Sequence, residues 1–286
     1  MKVILTGANG QLGRALGTVK PESVELTTFS KESLDITDYD GTSRIIEKHK
    51  PDIFINAAAY TAVENAEQDK DRAFEVNSIG VKNISKISKS NNVKLVHIST
   101  DYVFDGTSVK PYIEDSEVNP INVYGKSKLA GENHALNIME SNLILFRTAW
   151  LYSYEGPSFL TTMMRILKQR KSINVVNDQR GTPTRSISLA KAIYRSIDLG
   201  LEGIFNYTDA GDASWFEFAS EIKDILQAND PKTKLAEILP VASDQYNSEI
   251  ERPKYTVLAK TKISYHFECN NWRESLKEEI MLNYKH

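Results

Sequence analysis

The chain has 286 residues, 41% of them hydrophobic and 26% charged, a balance that supports a packed core and argues against disorder. A formal net charge of −3 with no long block of like charge offers no basic field for nucleic acid. The single cysteine, Cys269, cannot close an internal disulfide, and the lack of a CxxC or His/Cys cluster argues against a zinc site, which fits a reducing, cytoplasmic setting.

The first predicted element is a strand at Lys2 to Thr6, with no signal-type segment before it. No run of eighteen apolar residues follows anywhere, so no membrane span is expected. That strand enters Thr6-Gly7-Ala8-Asn9-Gly10-Gln11-Leu12-Gly13, and a helix is predicted over Gln11 to Thr18. Glycines at GxxGxxG spacing on a strand-to-helix turn suit a dinucleotide phosphate. Gly7 and Gly10 let the backbone approach a pyrophosphate, Gly13 lets the helix pack close, and the helix N-terminus supplies N–H donors. The competing reading is a plain tight turn.

A second strand, Val24 to Phe29, ends in Ser30-Lys31, where an NAD-specific site would carry an acid for the ribose hydroxyl. A hydroxyl followed by a cation suits a 2′-phosphate instead. NADPH is therefore expected over NADH, with the neighbouring Glu32 and a merely solvated Lys31 as the counter-arguments. A helix over Tyr39 to His49 leads to a strand at Asp52 to Asn56 and then Ala57-Ala58-Ala59-Tyr60-Thr61. The small side chains there either admit a flat cofactor or simply pack tightly.

A long helix is predicted at Asp69 to Asn91 and a strand at Val93 to Ile98 that runs into Ser99-Thr100-Asp101. Strand ends face the ligand crevice of a doubly wound sheet, so Thr100 can orient a carbonyl there, although Ser99 and Thr100 also suit a turn cap. His97 reads as a satisfied core histidine, and Asp101 and Asp105 as turn residues rather than metal ligands. The next helix, Lys126 to Met139, is preceded by the chain's only YxxxK, Tyr124 and Lys128. Four residues apart, the two share a helix face, and a neighbouring cation is expected to lower the phenol pKa from about 10. The spacing can also arise by chance.

A strand at Asn142 to Phe146 completes the alternation. Strand and helix in turn through residue 150 predict a Rossmann-type, doubly wound parallel α/β sheet. Past Trp150 the rhythm loosens: a helix near Pro157 to Gln169, a short run at Ile173 to Val176, a helix at Ser186 to Asp198, a helix at Ser214 to Ala228 capped by Ser214, and a last one at Asn271 to Met281. The expected division is a nucleotide-binding domain at 1–150 completed by 184–210, with a smaller C-terminal substrate-binding region from 151–183 and 211–286.

Together these motifs resemble the extended short-chain dehydrogenase/reductase superfamily. TGANGQLG, NAAAYTAVENAE, ISTDYVFDG, PINVYGKSKLAGE, FRTAWLYS and GTPT, followed by SWFEFA and RPKYTVL, are similar to its dTDP-4-dehydrorhamnose reductase branch. The resemblance implies that Thr100, Tyr124 and Lys128 are catalytic. It implies that Gly10, Gln11 and Leu12 touch the pyrophosphate, Asp35 and Ile36 the adenine, and Ala59, Tyr60 and Thr61 the nicotinamide side. Asp101 and Trp150 would meet the sugar nucleotide and Arg252 its diphosphate. The reaction implied is reduction by NADPH of the C4 ketone of a dTDP-activated deoxysugar. The related alternatives are a nucleotide-sugar epimerase or dehydratase, and a non-catalytic regulatory subunit of methionine adenosyltransferase.

Two positions depart from that branch. Some members bridge a dimer through magnesium held by a glutamate just after the glycine turn, where this chain has Ala15 beside Arg14. No metal is therefore expected, and the chain should be a monomer or a weak homodimer without such a bridge. Tyr255 stands where the branch commonly has asparagine, which alters the nucleotide end of the site.

Overall fold

Strands covered on both faces carry continuous apolar runs, and two of the strands here are buried at every residue. The computed structural model describes residues 1–245 and 250–283. Its first half alternates β1 (Lys2–Thr6), α1 (Gln11–Thr18), β2 (Glu25–Phe29), α2 (Tyr39–His49), β3 (Ile53–Asn56), α3 (Lys70–Phe74), α4 (Val81–Ser90), β4 (Lys94–Thr100), α5 (Val123–Met139) and β5 (Leu143–Thr148). The second half contains β6 (Leu151–Tyr152), α6 (Phe159–Gln169), β7 (Ser172–Val176), β8 (Arg180–Gly181), β9 (Thr184–Arg185), α7 (Ser186–Asp198) and β10 (Gly203–Asn206). It continues through β11 (Ala213–Ser214), α8 (Trp215–Asn229), β12 (Glu237–Val241), α9 (Thr261–Ser264) and α10 (Trp272–Asn283).

Six strands form one sheet in the order β10-β5-β4-β3-β1-β2, parallel at every pairing. This is the doubly wound α/β class. The chain moves outward from β1 to β2 and then returns to β3 on the other side of β1, so a topological switch point lies between β1 and β3. The register pairs Thr6 with Asn56, Asn56 with His97 and Thr100 with Thr148. Four strand ends thereby open on one rim.

Alternation along each strand divides the core between the sheet's two faces. Val3 and Leu5 point to one face, against Leu12 and Leu16 of α1 and Leu189 and Ile193 of α7. Ile4 points to the other, against Ile46 of α2, Ile84 and Ile87 of α4 and Met139 of α5. Each such side chain contributes about 1.5–3 kcal/mol by leaving water.

A separate apolar core joins α6, α8 and α10 around Leu160, Phe218, Ile222, Trp272 and Leu276. Beside it β7 pairs with β12, a strand that the sequence pattern did not single out. Ser158 and Ser214 each close a capping box at the start of α6 and α8, the second as expected.

The helix expected across residues 69–91 is interrupted. Glu75–Gly80 is π-helical between α3 and α4, which widens the turn that carries Asn77. Helix α5 begins at Val123, not at Lys126, because Asn122 caps it through Gly125 N. Tyr124 therefore stands inside the first turn.

Candidate active site

The cleft of about 800 Å³ over the switch point starts at the glycine turn. Gly7 has φ +75°, and a Cβ there would lie 2.5 Å from the Ala57 backbone. A Cβ on Gly13 would lie 2.3 Å from the Gly7 carbonyl oxygen. Only glycine permits both the left-handed turn and the close contact. No side chain caps the N-terminus of α1, so its first N–H groups face the cleft without a side-chain partner, and the Gln11 Oε1 is buried without one. The Gln11 amide instead donates to Pro157 O at 3.1 Å. This bare, positively polarised helix end fits the pyrophosphate of a dinucleotide.

Of the residues expected at the cofactor, Gly7, Gly10, Gln11, Leu12, Gly13, Lys31, Asp35, Ile36, Ala59, Tyr60 and Thr61 line this one cleft. Ser30 does not. Its backbone N–H donates to Ser33 Oγ at 2.9 Å and its hydroxyl lies 3.4 Å from the same atom, within the turn after β2. Lys31 reaches the cleft in company with Glu32. Asn56 Oδ1 accepts from Thr6 Oγ1 and Ala58 N, which fixes the backbone leading to Ala59. Asn77, delivered by the π-turn, accepts from Tyr60 N at 2.8 Å and donates to Tyr60 O and Ser127 Oγ.

Thr100, Tyr124 and Lys128 also line the cleft, although 24 positions separate the threonine from the tyrosine in sequence. Thr100 Oγ1 donates to Asp101 Oδ1 at 3.0 Å, accepts from Tyr102 N at 3.2 Å and is hydrogen-bonded to the Tyr124 phenol. The expectation that Lys128 lowers the Tyr124 pKa fails in this structure. Burial pushes the phenol up, against the Thr100 hydrogen bond, because Tyr124 is only 9% exposed. The Lys128 ammonium is instead held by the Ile98 carbonyl at 2.6 Å. Burial lowers its pKa from 10.5 to about 8, countered by the Glu132 carboxylate one turn along α5.

His97 lies beneath these groups and is satisfied at one nitrogen only. Because Asn56 Oδ1 is already an acceptor, its amide donates to His97 Nδ1 at 3.2 Å, which puts the ring proton on Nε2, where no partner is found. Burial and the Lys128 charge hold the imidazole neutral.

Of the residues expected at the sugar nucleotide, Asp101, Trp150 and Arg252 line the same cleft. Asp101 is 2% exposed, and burial raises its carboxyl from 3.8 to about 6 against hydrogen bonds from Thr256 and Thr100. Trp150 has φ +45°, uncommon for a bulky residue, and its indole stacks on Trp215 at 3.5 Å. Gly181, in the GTPT string, makes room for that indole: a Cβ there would lie 2.5 Å from the ring. Arg252 donates to the Tyr102 hydroxyl at 3.2 Å and to Glu64 at 2.7 Å. Tyr255 is not in the cleft and packs beside Phe104, Tyr112 and Leu258.

Among the positions that sequence reasoning missed, four shape the cleft most directly. Trp215 and Arg72 line it, Asn77 clamps Tyr60, and Gly181 seats Trp150. The glycine and the asparagine carried a signal in principle, as residues that favour special backbone positions, but neither spacing pointed to a partner. Among the described residues, no group of three or more His, Cys, Asp or Glu side chains is placed to hold a metal ion. No described helix is long and apolar enough to cross a membrane.

Known proteins match this geometry along the whole chain. A family model described as the RmlD substrate binding domain matches residues 1–284. A dTDP-4-keto-6-deoxy-D-glucose reductase of Streptomyces niveus is 37% identical, covering 89% of this chain and 87% of its own. The crystal structure of a dTDP-4-dehydrorhamnose reductase from Clostridium acetobutylicum superimposes with a TM-score of 0.93 at 38% identity, over 99% of each chain. That of a dTDP-4-dehydrorhamnose reductase from Bacillus anthracis, in complex with NADP, gives 0.93 at 36% identity, again over 99% of each chain. On these grounds the chain belongs to the RmlD family, that of the dTDP-4-dehydrorhamnose reductases.

Proposed function

We propose that the protein uses NADPH to reduce the C4 ketone of dTDP-4-dehydro-β-L-rhamnose to dTDP-L-rhamnose, the closing step of dTDP-rhamnose synthesis. The observation that carries this reading is the meeting of Thr100, Tyr124 and Lys128 with the glycine turn in one cleft. Family membership and an NADP-bound relative support the cofactor and the substrate class.

The nicotinamide, when bound, supplies the hydride; the chain supplies the proton and the orientation. Tyr124, whose pKa is raised by burial, is a neutral phenol at neutral pH and so carries the proton that the ketone oxygen needs as it becomes an alkoxide. Thr100 has one hydroxyl proton, which goes to Asp101 in the free enzyme. Turned toward the ketone oxygen, it makes a hydrogen bond that strengthens as negative charge develops there. Lys128, held by the Ile98 carbonyl in the same cleft, offers its remaining N–H donors to the ribose hydroxyls of the cofactor. Trp150, stacked on Trp215 and seated against Gly181, holds a fixed place in the lining of the cleft beside the sugar.

The same reading carries a cytoplasmic location and a chain that acts as a monomer or a weak homodimer without bridging magnesium. Ala15, buried in α1, has no side-chain oxygen to offer an ion, and its backbone carbonyl accepts from Val19 N. The test is loss of NADPH absorbance with purified protein and dTDP-4-dehydrorhamnose, with and without magnesium. Metal-independent oxidation is expected, and Tyr124→Phe should slow turnover by about 10²–10⁴-fold with NADPH still bound. Oxidation absent under both conditions, or a Phe variant of normal turnover, refutes the reading.

A further inference from the structure

The proposed reaction does not use an ion pair that sits at the rim of the cleft. Arg252 lines the cleft, and its guanidinium has two partners: Nη1 donates to the Tyr102 hydroxyl and Nη2 to Glu64 Oε1 at 2.7 Å. Glu64 lies in the segment after β3, 188 residues away in sequence, and is not itself a lining residue. Its side chain is 59% exposed, whereas that of Arg252 is 25% exposed. A guanidinium is a planar fork of donors that suits one oxyanion at a time along each edge. In the free chain Glu64 holds one of those edges.

We propose that Glu64 is a built-in stand-in for phosphate: its carboxylate occupies the Arg252 edge that the diphosphate of the nucleotide sugar takes over, and so sets the affinity of the cleft for that ligand. The inference rests on Arg252 meeting the diphosphate. Carboxylate and diphosphate cannot share the edge, because like charges at that distance repel. Glu64 is the partner able to leave, since its exposed side chain can turn into water. What it forgoes is one screened ion pair, equivalent to about two- to fivefold in affinity.

The surroundings are built for that exchange. Tyr102 keeps its hold on Arg252 after Glu64 leaves, so the guanidinium remains aimed at the cleft. The Tyr102 ring lies edge-on to Tyr124 at 5.7 Å, which places the charged end in fixed register with the catalytic phenol. Glu67, three residues beyond Glu64, accepts Val123 N at the first turn of α5 at 2.8 Å. That bond anchors the segment, so the Glu64 side chain can swing without the backbone following.

The experiment is calorimetric titration of the full chain with dTDP, which needs no turnover, for the parent, Glu64→Gln, Arg252→Gln and the double variant. Steady-state kinetics with the nucleotide sugar accompanies it. Glu64→Gln should bind dTDP about two- to fivefold more tightly and lower KM by the same factor, with the gain lost when Arg252 is already glutamine. If Glu64→Gln leaves dTDP affinity unchanged or weakens it while Arg252→Gln weakens it, Glu64 is only a structural tie and the proposal fails, with the Arg252 assignment intact. If Arg252→Gln leaves dTDP affinity unchanged, the diphosphate assignment itself falls and the proposal with it.

Discussion

Replacing Asp101 with asparagine should change how the stability of the fold depends on pH, with the variant gaining as pH rises. Asp101 is almost fully buried beside Thr100, and burial raises its carboxyl from 3.8 to about 6. That displacement of roughly two units corresponds to about 3 kcal/mol that the folded chain must supply to hold an ionised carboxylate there. The sign follows from the direction. The folded-state pKa is the higher one, so the folded chain holds the proton where the unfolded chain has released it. The destabilising contribution is absent below about pH 4, grows between about pH 4 and 6 and is complete above that.

Asparagine has the same shape and keeps an oxygen for the Thr100 hydroxyl, but it does not ionise. Any constant cost of its amide beside the unpartnered Oδ2 position is independent of pH. Urea unfolding of parent and variant at a series of pH values isolates the titration, since Asp209, also raised to about 6, is common to both and cancels. The stability difference should move toward the variant by about 3 kcal/mol across that window. A difference that stays flat with pH, or that moves toward the parent, would refute the assignment of a raised carboxyl at Asp101.

Three further outcomes follow from the same geometry. A Cβ on Gly131 would stand 2.1 Å from the Asn77 carbonyl oxygen, so Gly131→Ala should cost about 1–3 kcal/mol and raise the KM for NADPH by loosening the Asn77 clamp on Tyr60; unchanged melting and kinetics would contradict this. Arg147 is buried against Glu132 at 2.8 Å, so Arg147→Met should destabilise by about 3–5 kcal/mol, and adding Glu132→Leu should recover much of that loss in chemical denaturation. A double variant no more stable than Arg147→Met would show that the unpaired charge is not the cause. Lys31→Ala should raise the KM for NADPH by about two- to fivefold and spare NADH, and equal effects on the two cofactors would remove Lys31 from the 2′-phosphate.

Much of this protein is written in short-range sequence. The glycine turn, the continuous apolar strands and the period of α1, α2 and α7 need only neighbours a few residues apart, because backbone geometry and side-chain period are local properties. Tyr124 and Lys128 are legible for the same reason, four residues being one helical turn. Tertiary structure decided what depends on burial and on distant partners. The Tyr124 phenol is pushed up rather than down, because burial outweighs the Thr100 hydrogen bond while the Lys128 ammonium is engaged by the Ile98 carbonyl. Ser30 pairs with Ser33, Trp150 is held by Gly181 and Trp215, and Arg252 is met by Glu64. No spacing in the sequence encodes the last two contacts: the elements that make them meet only when the sheet brings its strand ends to one rim, and the desolvation that sets each charge exists only once that rim is closed around it.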